Sequence, residues 1–191
     1  PPDATVTETR DALLLAARMA SPADHDVLAA AFARRGAGTC AISAPRSSED
    51  FVGIQERFEV KGVIAPGAPV LTVDVGDCDG DPSLDNGERA TVRATITNPG
   101  AAALGPVTVT LTSAAPGLTI DTAPIVLPAL PAYGSAPVSF EVRLVGGAAS
   151  GARAGDLTLT ATAADACDPE VAAVTPVTLD ADARPGASAS D

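Results

Sequence analysis

Apolar residues recur along this chain of 191 residues with two different periods, and the period changes near residue 70. Before that point they recur every three to four residues, which is the spacing of one face of a helix. After it they recur at every second residue, as in strands that bury one face. The pattern therefore predicts a helical segment followed by a β domain.

The first predicted helix begins at a capping box, in which Thr5 is the N-cap and Glu8 occupies the third helical position. Four apolar residues at helical spacing should bury one side of this helix: Leu13, Leu14, Ala17 and Met19. Ser21 and Pro22 then give a second start signal, and Gly36 is typical of a helix end.

The second predicted helix places Leu28, Ala31 and Phe32 at helical spacing, and His25 lies in its first turn. We expect His25 to face solvent, because one histidine without partner ligands cannot hold a metal. Two helices joined by so short a turn form an antiparallel pair. Such a pair buries too little surface to fold alone, so it should pack against another structure.

The second half of the chain consists of about seven short alternating segments separated by Gly/Pro turns. In residues 137–145, for example, Val138, Phe140, Val142 and Leu144 fall on one side. This pattern predicts a mostly β fold, an immunoglobulin-like antiparallel β-sandwich preceded by the helical pair. The predicted organisation is a helical segment (1–62), a linker (63–69), the sandwich (70–180) with a flexible tip at 146–156, and a flexible tail (181–191).

Charge and hydropathy exclude some classes of partner. The net charge of −12 disfavours binding to nucleic acid, because the phosphate backbone is also negative. No apolar run approaches the roughly 18 residues that a membrane span needs. The chain opens without a basic start and an apolar core of a signal peptide, so we expect further polypeptide upstream.

Five carboxylates are concentrated in residues 76–88, GDCDGDPSLDNGE: Asp77, Asp79, Asp81, Asp85 and Glu88. Carboxylates at this density repel one another unless a cation or water separates them. Their spacing is that of an EF-hand loop, but Pro82 replaces the turn glycine, and strands flank the loop. The stretch therefore predicts a calcium loop of another family, and a solvated acidic turn is the alternative.

The three cysteines are Cys40, Cys78 and Cys167. Cys78 and Cys167 both lie in acidic loops expected at the ends of the sandwich, so we predict a Cys78–Cys167 disulfide, which fits an extracellular compartment. Two buried thiols are the alternative. Cys40 is then expected to be buried or paired outside this chain.

Residues 10–16, RDALLLA, and residues 31–38, AFARRGAG, resemble the last helices of fungalysin-type zinc metallopeptidases. The downstream SSEDFVGIQERFEV is similar to the short segment that follows those helices. The resemblance covers about the first 60 residues and implies that they complete a thermolysin-like catalytic domain. It departs from the family pattern at Ala29 and Ala30, where an aromatic residue usually precedes AFA.

Residues 84–113 resemble bacterial extracellular immunoglobulin-like domains of the adhesion type, through Asn86-Gly87-Glu88 and Asn98-Pro99-Gly100. The resemblance implies an accessory domain, of the kind that accompanies secreted peptidases.

A fungalysin-type site needs two histidines and a glutamate on one helix turn and a later glutamate as zinc ligand. This sequence has one histidine, so no catalytic residue is predicted and zinc is expected only in an upstream domain. We therefore expect the C-terminal portion of a secreted metallopeptidase, whose partners are the upstream catalytic domain and a protein substrate or cell surface. The alternative is a non-enzymatic extracellular adhesion or binding module.

Overall fold

Two antiparallel β-sheets and two helices form the structure, a computed structural model that describes residues 3–73, 84, 87–145 and 151–181. The helices are α1 (Val6–Ala20) and α2 (Pro22–Arg34). The strands follow in chain order: β1 (Ala65–Pro66), β2 (Val70–Val73), β3 (Arg89–Thr97), β4 (Val107–Ser113), β5 (Leu118–Ile120), β6 (Ile125–Leu127), β7 (Ser135–Leu144), β8 (Gly151–Thr162) and β9 (Glu170–Ala181).

One sheet has the order β1-β3-β7-β5, and β2 pairs with the same edge of β3 as β1 does. The other sheet has the order β6-β4-β8-β9. All strand pairs are antiparallel, and β3 and β7 are paired from Arg89 with Arg143 to Thr97 with Ser135. This arrangement confirms the predicted mostly β fold, an immunoglobulin-like sandwich preceded by two helices.

The main core lies between the two sheets and is built from residues at alternate positions of the strands. Val92 and Phe140 contribute from one sheet, and Val109 and Leu159 from the other. The predicted inward face of β7 is confirmed, because Val138, Phe140, Val142 and Leu144 are all buried. Alternation at period two was therefore a reliable guide to which strand face is inside.

Both helices begin as the sequence predicts. The Thr5 side chain accepts a hydrogen bond from the Glu8 amide, and the Glu8 side chain accepts one from the Thr5 amide. Ser21 caps α2 in a similar way through the Asp24 amide, with Pro22 in the first turn. Gly36 follows α2 with a φ of 79°, a conformation that glycine adopts without steric cost.

The predicted buried face of α1 is only partly right. Leu14 is buried, but Leu13 is half-exposed and Met19 is 84% exposed. In α2 the residues that turn inward are His25, Ala29 and Ala33, whereas Leu28 and Phe32 are partly buried. A helix has several apolar stripes when it is rich in Ala and Leu, so tertiary packing decides which stripe is covered.

Two segments have more regular structure than the sequence indicated. Residues 151–156, part of the predicted flexible tip, belong to β8 and pair with β9 from Gly151 opposite Ala181. Within the predicted linker, Ala65–Pro66 forms β1, and the Gly67 amide donates to the Thr95 carbonyl at 2.8 Å. Of the predicted flexible tail at 181–191, Ala181 ends β9, and residues 182–191 lie outside the described residues.

Candidate functional site

Arg10 is a buried charge that connects the two sequence motifs of the helical segment. Its guanidinium donates to the carbonyl oxygens of Ala37, at 3.3 Å, and of Gly38. It also contacts the Asp11 carboxylate twice, at 2.8 Å. A buried guanidinium is tolerated only when its donors are satisfied, so the contacts explain how RDALLLA and AFARRGAG depend on each other.

The glycine at position 38 permits the close approach of residues 55–60 to the end of α2. A Cβ atom at Gly38 would lie 2.7 Å from the Arg57 carbonyl oxygen, which is closer than real contacts allow. The Gly38 amide donates to that same oxygen at 2.8 Å, and the Thr39 amide donates to the Glu59 carbonyl at 3.0 Å. The loop after α2 is therefore held to the strand-like segment before the sandwich by backbone hydrogen bonds.

Exposed apolar side chains are concentrated on the helical segment. Ten of the fourteen large apolar side chains that are exposed among the described residues lie between Val6 and Phe58. Five of these ten follow α2 and define what we call the apolar surface: Ile42, Phe51, Val52, Ile54 and Phe58. Three of the five, Ile42, Phe51 and Ile54, line one groove, and grouped exposed apolar side chains commonly mark interaction sites.

A groove of about 380 Å³ lies beside the apolar surface. Val6, Ile42, Phe51 and Ile54 are among its lining residues. Phe51 has a φ of 55°, and Gly53 a φ of 91°, so the loop turns sharply where Phe51 and Val52 are presented. A left-handed backbone at a bulky residue is uncommon and is a reason to look for a functional role.

Arg46 lines the groove, and two carboxylates, Glu8 and Asp50, are chain neighbours of residues that line it. Arg46 contacts Glu8, and the hydrogen bonds that Glu8 accepts from Arg46 and then from Thr5 lower its pKa to about 2. The pKa of Asp50 is also lowered, first by the hydrogen bond from the Ser48 hydroxyl and then by the Val52 amide. Both carboxylates are therefore ionised at neutral pH, at the margins of an apolar area.

His25 is buried, so the expectation that it faces solvent is wrong. Its side chain is 1% exposed and forms hydrogen bonds with Asp26, Nδ1 to Oδ1 at 2.8 Å, and with the Tyr133 hydroxyl, Nε2 to Oη at 3.1 Å. A carboxylate only accepts, so Nδ1 donates to Asp26, and Nε2 shares a hydrogen bond with the Tyr133 hydroxyl, which can either donate or accept. Burial raises the pKa of Tyr133, which keeps its hydroxyl proton available. His25 thus joins α2 to the loop before β7.

Asn98 is fully buried and organises the loops at the end of the sandwich where Tyr133 lies. Its Oδ1 accepts from the amides of Val63 and Gly100, both at 3.0 Å. The two hydrogens of its Nδ2 are donated, one of them shared, among three carbonyl oxygens at 2.9 to 3.2 Å: those of Ala102, Leu130 and Pro131. One side chain therefore joins the segment before β1 to two loops of the sandwich.

The disulfide of the structure joins Cys40 to Cys167, with a Cα–Cα distance of 5.4 Å. The predicted Cys78–Cys167 pair is therefore wrong, and so is the expectation that Cys40 is buried or bonded outside this chain. Linear sequence could not reveal this pairing, because it brings together residues 127 positions apart. Cys78 itself lies outside the described residues.

Four of the predicted calcium ligands, Asp77, Asp79, Asp81 and Asp85, lie outside the described residues. Glu88 is described and is buried at the start of β3, where its carbonyl accepts from the Leu144 amide at 3.2 Å. Within the described parts of the chain, no group of three or more His, Cys, Asp or Glu side chains could hold a metal ion. The calcium site therefore stays a prediction.

No family model matches this sequence, and no curated protein matches it. Among solved structures, the chain is similar to the ASH/PapD-like domain of human CEP192 (PapD-like domain 7). The identity is 13% over 72% of this chain and 98% of that chain, with a TM-score of 0.43. The likeness concerns the fold alone.

Three features of this site were missed at the sequence level: the buried Arg10, the Asn98 network and the Tyr133 contact. The apolar surface had a visible signal, because Phe51, Val52 and Ile54 stand between acidic residues without the alternation of a buried strand. As to membranes, no helix in the described ranges is long and apolar enough to cross one.

Proposed function

We propose that this chain is a non-catalytic accessory module of a secreted fungalysin-type zinc metallopeptidase. The helical segment docks against the catalytic domain of the same polypeptide, and the immunoglobulin-like sandwich follows as an appended domain. Zinc belongs to that catalytic domain, because the single histidine of this sequence, His25, already has Asp26 and Tyr133 as partners. The disulfide supports a secreted location, since disulfides persist in oxidising compartments.

The observation that carries the proposal is the apolar surface. Phe51 and Val52 are 68% and 67% exposed, and Phe58 is 62% exposed. Burying three such side chains in a partner would stabilise a contact by about 5 kcal/mol, at roughly 1.5 to 3 kcal/mol for each fully buried side chain, less the cost of ordering them. The sandwich, by contrast, has its own closed core.

The contact between Arg10 and the glycine-rich end of α2 gives further support. The resemblance to fungalysin-type enzymes depends on two short motifs, and Arg10 hydrogen-bonds from one motif to the carbonyls of the other. The contact makes the two motifs parts of one folded unit, as the resemblance requires.

Calcium binding by Asp77, Asp79, Asp81, Asp85 and Glu88 is the second part of the proposal, supported by their spacing and by the repulsion among them. The sandwich would then be stabilised by the ion at one end of β3. We expect addition of calcium to the chelator-treated protein to raise the melting temperature, and Asp79→Asn to remove this response. Equal melting curves with and without calcium would contradict this part alone.

A non-enzymatic adhesion or binding module is the second candidate, since a disulfide-bonded immunoglobulin-like sandwich is compatible with it. The reading frame that precedes Pro1 separates the two candidates. His-Glu-x-x-His in frame is expected if the helical segment completes a peptidase. A signal peptide directly before Pro1 would favour the adhesion module and overturn the peptidase proposal.

The docking role is tested in the polypeptide that contains both the catalytic domain and this chain. We expect Phe51→Ser with Val52→Ser to lower the melting temperature of the catalytic domain. Val126→Ser is the matched control, because Val126 is 64% exposed on strand β6 of the sandwich. Equal effects of the two changes, or none from the first, would show that the apolar surface is not a docking site.

A further inference from the structure

The Cys40–Cys167 disulfide joins two parts of the chain whose buried cores are separate. Among the described residues, the main core begins at Ile64 and contains no residue of the helical segment. A second, smaller cluster consists of Leu14, Ala29 and Ala101, of which only Ala101 comes from the sandwich. The sandwich can therefore stay folded without the helices, whereas the helices depend on the sandwich.

The described noncovalent contacts between the two parts combine the packing of Leu14 and Ala29 on Ala101 with several hydrogen bonds. The His25–Tyr133 hydrogen bond joins α2 to the sandwich, and the Ala102 amide donates to the Lys61 carbonyl at 3.2 Å. A cleft of about 450 Å³ remains between them, with Arg18 and Asp26 on the helical side and Pro131 on the other. The cleft is open to solvent, so the residues that face it make no dispersion contacts across it.

We propose that the Cys40–Cys167 disulfide is a redox latch, whose reduction releases the helical segment while the sandwich remains folded. A dithiol supplies two electrons and two protons. The sulfur–sulfur bond of the protein breaks, two cysteine thiols form, and the dithiol becomes a disulfide. Both cysteines are partly exposed, so a reductant can reach them. The proposal does not depend on what covers the apolar surface.

The effect of reduction on the opening equilibrium of the helical segment depends on the length of the loop that the disulfide closes when this segment opens. Gly62 is already fixed to the sandwich, because its carbonyl accepts from the Cys167 amide at 3.0 Å. The loop relevant to local opening therefore runs from Cys40 to Gly62, roughly 20 residues, and closing such a loop changes the opening equilibrium by about 10²- to 10³-fold. The separation of 127 positions between Cys40 and Cys167 matters only for unfolding of the whole protein.

Amide hydrogen exchange followed by mass spectrometry tests the latch on the full chain, with and without dithiothreitol. After reduction, we expect the amides of α1 and α2 to exchange about 10²-fold faster. The amides of β3, β7 and β8 should keep their exchange rates. Unchanged exchange in the helices, or equal acceleration in helices and strands, would overturn the proposal.

Cysteine variants separate the latch from other effects of the reductant. Cys40→Ser without reductant should reproduce the fast exchange of the helices, and Cys78→Ser should leave both the oxidised behaviour and the response to dithiothreitol unchanged. If Cys40→Ser does not fold at all, the sandwich is not independent of the latch and the proposal is wrong.

Discussion

Replacing Asn98 with alanine should destabilise the protein more than any other single truncation of an uncharged polar side chain in the described residues. The Asn98 side chain is fully buried and has five hydrogen-bond contacts with the backbone of surrounding loops. Alanine keeps the backbone hydrogen bond from the residue 98 amide to the Gly134 carbonyl but removes every one of these side-chain contacts. The change therefore isolates the contribution of one polar network at the end of the sandwich.

The expected loss in the free energy of unfolding follows from the backbone groups that lose a hydrogen-bond partner. The buried Gly100 amide loses its acceptor, and the half-buried Val63 amide loses the same oxygen. Leu130 is less affected, because its carbonyl still accepts from the Leu104 amide at 2.9 Å. At about 1 to 3 kcal/mol for an orphaned buried group and about 1 kcal/mol for each ordinary bond, the loss should be about 3 kcal/mol. The melting temperature should fall by about 10 °C.

Urea unfolding followed by far-ultraviolet circular dichroism measures this loss, since the chain has no tryptophan to report by fluorescence. The urea midpoint should fall while the slope m stays constant. Thr95→Ala is the control, because Thr95 is exposed on β3, which ends one residue before Asn98, and it should change stability by less than about 0.5 kcal/mol. If Asn98→Ala stays within about 1 kcal/mol of the natural sequence, the network does not hold these loops together.

Three further predictions test other contacts. Gly155→Ala should cost about 2 kcal/mol, since its Cβ would lie 2.5 Å from the Ala115 amide nitrogen. Gly105→Ala is the control in urea unfolding, because its Cβ would meet only the Asp165 side chain, at 3.2 Å. The pKa of Glu8 is lowered to about 2, so its contribution to stability is present above its ordinary value near 4.5 and is lost as the pH falls toward 2. Melting curves from pH 6 to pH 2 should show this loss, and an unchanged pH dependence in Glu8→Gln would contradict it. Arg10→Lys should speed amide exchange in α1 and α2 without changing that of β7, because lysine cannot reproduce the forked contacts; equal exchange in both proteins would count against it.

Local sequence patterns were enough to predict the structural features that depend only on neighbouring residues. The capping box of Thr5 and Glu8, the proline of α2 and the positive φ of Gly36 are all properties of a few neighbouring residues. The alternation along β7 identified its buried face, because side chains of a strand point to opposite sides in turn. These features required no knowledge of the rest of the fold.

Helix packing was predicted less well than strand packing for a physical reason. In α1, rich in Ala and Leu, several faces are apolar enough to be buried, so the position of Ala101 and Val60 decided that Leu14 turns inward and Met19 outward. The burial of His25 also depends on tertiary structure, since Tyr133 and Asp26 form hydrogen bonds with its two ring nitrogens. A polar side chain can be buried wherever tertiary structure supplies its partners.

The sequence by itself determined the mostly β fold, the positions of the helix ends and the acidic stretch at residues 76–88. Only the tertiary structure decided that Cys167 bonds to Cys40 and that Asn98 and Arg10 hold distant loops. Periodicity and capping arise from contacts within a few residues, so they can be read from the chain. Cysteine pairing and buried polar networks depend on which distant segments the folded sandwich brings together, and no local pattern records that.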